Sequence, residues 1–427
     1  MKRKNLTFLS LILIAILITF TLCSCSGKNY GTLSGDFWYT STDGKVTITK
    51  YIGKEKHLIV PESIENMPVI SIGHTAFQNC SSLQSVTIPD SVEKIGAFAF
   101  DECINLEKVI LEKGVKEIDT NVFYRCNKMQ FNEYENGYYI GNHENPYMAL
   151  VCMVNTEMEQ VNIHSDTVII CGSAFDGCKA IHEIKIPEGV LSIGSNAISY
   201  CPLLEKVYIP ASVEYIDNLP IDRCHKLSEI IVAEENKKFK TIDGHLFSYD
   251  GLRLIKYAPA HEASAYRVPD GTVIIEDYAF DNAKNLTEII LPDSLEEIGD
   301  KVFLDCENIK TITFGNSLKT IGSQAFGFCK SITEIILPDS VEIVSYSAFS
   351  YCEKLEKVVI GSGVVSIEKE AFDGCDALKE VVFKDTKNWS TIGGMFDLFP
   401  KKIDVSNPVE NAKNLTGEYS YLYWNKN

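Results

Sequence analysis

Apolar positions along most of this chain recur on one 23-residue template, shown whole by Ile321 to Ile343, IGSQAFGFCKSITEIILPDSVEI. Its steadiest mark is an aromatic after a small residue. The mark falls at Phe77, Phe100, Phe123 and Phe175, at Ile198 and Ile221 in the same register, and at Phe280, Phe303, Phe326, Phe349 and Phe372. Within a run the step is always 23 residues; two steps are longer, 52 after Phe123 and 59 after Ile221. Three runs of three, three and five units follow. A fixed period of this size predicts a solenoid whose units cannot bury their apolar face alone.

Each unit has two halves. Leu-x-x-Val-x-Ile, as in Leu83, Val86, Ile88 or Leu355, Val358, Ile360, alternates and is rich in β-branched residues, so it predicts a short strand. Prolines such as Pro89, Pro210 and Pro338 mark its end. The other half, Ser-Val-x-x-Ile-Gly-x-x-Ala-Phe-x-x-Cys, is too short for an ordinary helix. It predicts a bend, an extended residue pair and one tight helical turn around the Phe.

The pattern resembles the BspA-type leucine-rich repeats of bacterial surface proteins, over roughly Gly35 to Phe399. It lacks the Asn ladder of the commoner leucine-rich repeat. The resemblance implies an α/β-type, β-dominated solenoid, with a curved parallel sheet on the concave side and short turns or 3-10 helices on the convex side. About 15 rungs at the parallel-strand spacing would extend for roughly 70 Å.

At 427 residues, length alone suggests about three domains; the repeat favours one elongated array. A net charge of −18 argues against nucleic acid or an anionic membrane surface as the main ligand. Residues 1–24 read as a signal peptide, with Lys2-Arg3-Lys4 ahead of the apolar run Leu6 to Phe20. Leu22-Cys23-Ser24-Cys25 resembles a lipobox with Cys25 as the lipidated residue, and residues 25–34 suit a tether; the alternative is an uncleaved transmembrane anchor. Either way the repeats are expected outside the cytoplasmic membrane; with Cys25 lipidated they are lipid-anchored at the cell membrane or surface.

Residues 35–71 predict a cap hairpin and a degenerate repeat, followed by a first block at 72–132. Residues 133–169 and 233–274 read as variant repeats that each project a strand pair, around blocks at 170–232 and 275–400. Residues 401–427 lack the repeat and read as a cap or a tail.

Cysteine follows the aromatic by three, as at Cys80, Cys103 and Cys329 beside the ring column Phe77, Phe100 and Phe326. Stacked Cβ atoms stand about 4.8 Å apart, beyond disulfide reach. The spacing also gives no local metal chelate. Ala283 takes the same register, so the column reads as small buried apolar residues. Cys152 and Cys171 lie off it.

On the strand, the residue between Val and Ile points outward. That column reads Thr87, Ile110, Lys185, Tyr208, Ile231, Ile290, Thr313, Ile336, Val359 and Val382. Two residues earlier stands a charged rim that includes Lys206, Glu229, Glu288, Glu334, Lys357 and Glu380. An apolar stripe with a charged rim suits a binding surface; Ile and Val ladders also stabilise a sheet with no ligand. Both readings stay open. The eight histidines form no metal motif, and no nucleophile elbow, phosphate loop or dinucleotide fingerprint occurs. We therefore expect no enzyme, metal or cofactor. The expected role is a protein or glycan partner held on the strand face, which the family resemblance casts as adhesion. The alternative is a self-associating envelope protein; an enzyme with its site in the insertions comes third.

Overall fold

The computed structural model describes residues 30–393 and 400–426. The leader and Cys25 lie outside the described residues. The architecture is a β-dominated solenoid with a single α-helix, Pro408–Thr416, among the described residues.

Two columns of strands run along the array. The Leu-x-x-Val-x-Ile segments form the first, in four separate parallel sheets of three strands. These are His57–Ile59 with Ser85–Ile88 and Lys108–Leu111; Glu183–Lys185 with Lys206–Ile209 and Glu229–Val232; Ala265–Arg267 with Glu288–Ile290 and Thr311–Thr313; and Glu334–Ile336 with Lys357–Ile360 and Glu380–Phe383. The extended pairs of the other half form the second column, as in Lys94–Ile95, Ser192–Ile193 and Thr320–Ile321. This second column builds the longer sheets, of seven, six and eleven strands. The sequence pointed to the first column as the main sheet. Several of the second column's pairs are followed by a glycine that packs tightly on the rung before. A Cβ on Gly322 would stand 2.4 Å from the Gly299 carbonyl oxygen, and one on Gly194 2.6 Å from the Gly172 nitrogen.

The third side is a corner of turns, and no 3-10 helix forms among the described residues. The residues two before and two after the ring both take positive φ, as in Phe98 (56°) and Glu102 (57°) around Phe100, or Gln324 (53°) and Phe328 (58°) around Phe326. A left-handed residue between right-handed ones breaks any helical run. It also aims alternate N–H groups along the array. Phe98, Phe100 and Glu102 donate to the carbonyls of Thr120 (3.2 Å), Val122 (2.9 Å) and Tyr124 (2.9 Å) on the next rung.

Inside, the rings stack rung on rung: Phe77 on Phe100 at 4.9 Å, Phe303 on Phe326 at 4.9 Å, Phe326 on Phe349 at 5.2 Å. Among the described residues the cysteines are free, and all but Cys80 and Cys152 are buried. Beyond the first rung of a run, each column thiol donates to the carbonyl of the residue in the ring register 26 positions earlier: Cys103 to Phe77 at 3.1 Å, Cys329 to Phe303 at 3.2 Å, Cys375 to Phe349 at 3.1 Å.

Each block opens with the same device. Three antiparallel strands, Thr32–Ser34, Phe37–Thr42 and Lys45–Tyr51, precede the first block, and the third of them pairs in parallel with Met67–Ile72. Asn132–Tyr134, Gly137–Ile140 and Ala149–Met153 do the same before the second block, and Phe239–Ile242, His245–Ser248 and Arg253–Lys256 before the third. The expected strand pairs are therefore three-stranded. The stretch read as a tether also ends in a paired strand, because Thr32–Ser34 hydrogen-bonds Phe37–Tyr39. The core divides into three clusters at the two insertions. At the far end residues 401–426 form a cap. Tyr423–Lys426 inserts antiparallel beside Ser366–Ile367 and Trp389–Ile392, and Trp424 is buried.

Candidate binding face

The first strand column presents one side to the core and one to solvent, because side chains alternate along a strand. Ile289, Ile335 and Val358 face inward and are fully buried. Between them and the next inward residue stand the outward positions. Lys185, Thr313 and Ile336 are exposed; Thr87, Ile110, Tyr208, Ile231, Ile290, Val359 and Val382 are half-buried. Parallel registry sets these residues side by side, for instance Tyr208 with Ile231, Ile290 with Thr313, and Ile336 with Val359 and then Val382.

The stripe is not continuous. Its sheet is cut into four, so the outward residues fall into four short patches. Ile336, Val359 and Val382 form the one that is aliphatic throughout. Ile336 is 53% exposed, and beneath this patch stand Glu334, Lys357 and Glu380, with Lys357 paired to Glu334 at 2.9 Å. Lys206 pairs in the same way with Glu229 at 2.8 Å, and Glu288 stands beside Thr311 in the third patch. These hydrogen bonds hold the Lys206 and Lys357 ammonium groups above their usual range. Lys185 lies over the Tyr208 ring at 5.3 Å and pairs with Glu183. The second patch therefore presents a closed polar pair where the fourth presents bare methyl groups.

Sequence reasoning missed two members of the column. Ile59, 72% exposed, stands beside Thr87, and Arg267 stands beside Ile290. Leu58-Ile59-Val60-Pro61 and Tyr266-Arg267-Val268-Pro269 carry the same Val-x-Ile-Pro signal in degenerate form. Beside Ile110 the first patch borders a recess of about 600 Å3 lined by Lys108, Glu112, Asn132, Asn142 and His143. The structural columns Phe77, Phe100, Phe326, Cys80, Cys103 and Cys329 all face the array's interior, with only Cys80, on the first rung, half-buried.

Buried polar chemistry collects at the second insertion. Lys256 donates to the Tyr278 carbonyl at 2.9 Å, and burial pushes its ammonium pKa down. His245, Tyr257 and Tyr266 pack ring to ring, with His245 Nε2 and both phenol oxygens unpartnered among the described residues. No group of three or more His, Cys, Asp or Glu among the described residues is arranged to hold a metal ion.

The profile of the BspA type leucine-rich repeat region matches residues 56–144, 151–264 and 273–394. Similar solved structures include a leucine-rich cell surface protein from Faecalibacterium prausnitzii (26% identity, 85% of this chain and 97% of that one, TM-score 0.48). A second is the pneumococcal vaccine antigen PcpA (21% identity, 91% and 96%, TM-score 0.51). A leucine-rich repeat protein from Eubacterium ventriosum is a third (19% identity, 83% of each chain, TM-score 0.47). No curated protein matches the chain.

Proposed function

The chain belongs to the BspA-type leucine-rich repeat family, and from that premise we propose that it is a non-catalytic, exported binding protein, anchored by lipid at Cys25. It holds a protein or glycan partner on the outward side of the first strand column, in an adhesion-type contact. The observation that carries this reading is the aliphatic patch Ile336–Val359–Val382. Its central strand is paired on both sides, its inner face is fully packed, and Ile336 still stands half in solvent. Exposed aliphatic side chains rimmed by charge are the composition of an interface core with a polar edge.

The test is capture of partners by the protein from Ser26 to Asn427, offered matrix proteins, cell-surface extract and cell-wall glycans. The control carries Ile290→Glu and Ile336→Glu. Retention of a partner by the wild type and its loss from the double variant is the expected result. Equal retention by both would move the site off this face, and capture of nothing but a second copy would favour a self-associating envelope protein.

A further inference from the structure

Each complete junction in the corner of turns is joined by three N–H groups, from the ring residue and the residues two before and two after it. In the last block Gln324, Phe326 and Phe328 donate to the carbonyls of Tyr346, Ala348 and Ser350 at 2.9, 2.8 and 2.9 Å. In the first and third blocks the ring at the centre of a donor set stacks on the ring of the next rung, here Phe326 on Phe349. After Phe123 this pattern stops. The N–H groups of Asn121, Phe123 and Arg125 have no partner among the described residues. The Phe123 ring stacks on Phe100 at 5.8 Å on one side and, among the described residues, on no ring on the other. A hollow of about 300 Å3 opens there, walled by Phe123, Phe131, Tyr138, Val151, Cys152 and Cys171. Its walls are largely apolar, and burial pushes the Cys152 thiol pKa up to about 11, so the thiol adds no charge near neutral pH.

We propose that this interrupted junction is a docking site for a peptide segment with a central aromatic residue. The ring of the peptide enters the hollow and stacks on Phe123. The peptide's alternate carbonyls accept the N–H groups of Asn121, Phe123 and Arg125, as the next rung does elsewhere in the array. The partner chemistry follows from this chain's own junctions, which in the first and third blocks supply that pair of features to the rung before. The row of aligned N–H groups also favours carbonyl or other electron-rich groups by its dipoles. The second interruption does not offer the same site. Its row, Leu219, Ile221 and Arg223, centres on an aliphatic residue. The recess beside it is about 160 Å3 and is lined by Asp217, Arg253, Glu276 and Asp277.

The probe is a labelled synthetic peptide that copies residues 277–285, DYAFDNAKN, and the same peptide with Phe280→Ala. Anisotropy is followed as the protein is added. Saturable binding of the first peptide is expected, with affinity at least tenfold weaker for the second. Cys152→Phe fills the hollow and is expected to cut binding at least tenfold without lowering the melting temperature; if that variant does not fold, Val151→Phe is read in the same way. The Ile290→Glu, Ile336→Glu protein is expected to bind as the wild type does, which separates this site from the strand face. No saturable binding by the wild type, equal affinity for both peptides, or unchanged binding by a folded hollow-filling variant would each overturn the proposal.

Discussion

The cysteine three residues after each ring shows what a single side chain does here. Its small apolar body fits a column with no room to spare, and Ala283 shows that the body alone suffices for packing. The thiol adds a weak hydrogen bond to a carbonyl on the previous rung, which explains why the column prefers Cys to Ala or Val. The burial was legible in the sequence; the acceptor was not, because it lies 26 residues away and becomes a neighbour only once the rungs stack. His245 belongs to the same scale. Its Nδ1 accepts the Ala258 N–H at 3.2 Å, so Nε2 carries the proton, and desolvation pushes the imidazole pKa down to about 3. The unfolded chain would titrate near 6.5, so the folded state binds fewer protons between the two values. This contribution is intact above pH 6.5 and is lost as pH falls, at about 1.4 kcal/mol per pH unit between pH 6 and pH 4. Across that range the urea midpoint of the wild type should fall relative to that of His245→Phe as the pH drops. Parallel curves would mean that the ring titrates normally.

At the scale of elements, the chain is punctuated by three versions of one three-stranded cap. The kinship of the two insertions was legible from aligned glycines and apolar runs, Gly137 to Ile140 against Gly244 to Phe247. That the N-terminal hairpin is the third version was not legible. Its first strand, Thr32–Ser34, is too short and polar to signal itself without its partner. The equivalence shows in backbone pairing: the N–H groups of Tyr51, Met153 and Tyr257 all donate to the Ala before the first ring of their block, at 2.7, 2.9 and 2.9 Å. A tight helical turn was expected in the corner because the segment is too short for an ordinary helix. The left-handed residues that replace it include Phe, Tyr, Glu and Lys, types that carry no local signal for positive φ. The C-terminal cap closes the last rung. Asn411 Nδ2 donates to the Val381 carbonyl at 2.9 Å, and Trp424 stacks on Phe383 at 6.2 Å with its indole N–H on the Tyr419 carbonyl. Trp424→Ala should cost about 3–5 kcal/mol in urea unfolding, the cost of truncating a large buried aromatic. A loss below about 1 kcal/mol would mean that the tail is not part of the folded array.

Across the whole molecule, stability in a solenoid is local, each rung supported by its neighbours, and here the core is further divided into three. Such a body can give up outward side chains on a strand column without loosening its interior. Period, block count and inward columns were legible because they recur. The division of the strand face into four patches was not, since nothing in the repeat after Thr313 announces that its sheet ends there. That division turns a long stripe into separate small surfaces, of which Ile336–Val359–Val382 is the most apolar. The central claim is that this surface is surplus to folding and free for a partner. Equilibrium unfolding of Ile336→Glu beside Ile335→Glu tests it most directly, because the two residues are adjacent on one strand and face opposite ways. The account predicts a change under about 1 kcal/mol for Ile336→Glu, the scale of an exposed cross-strand pair. For Ile335→Glu it predicts failure to fold or a loss above about 3 kcal/mol, from a charge buried without a partner. A loss of about 2 kcal/mol or more at Ile336 would contradict the claim and make the outward column a structural ladder.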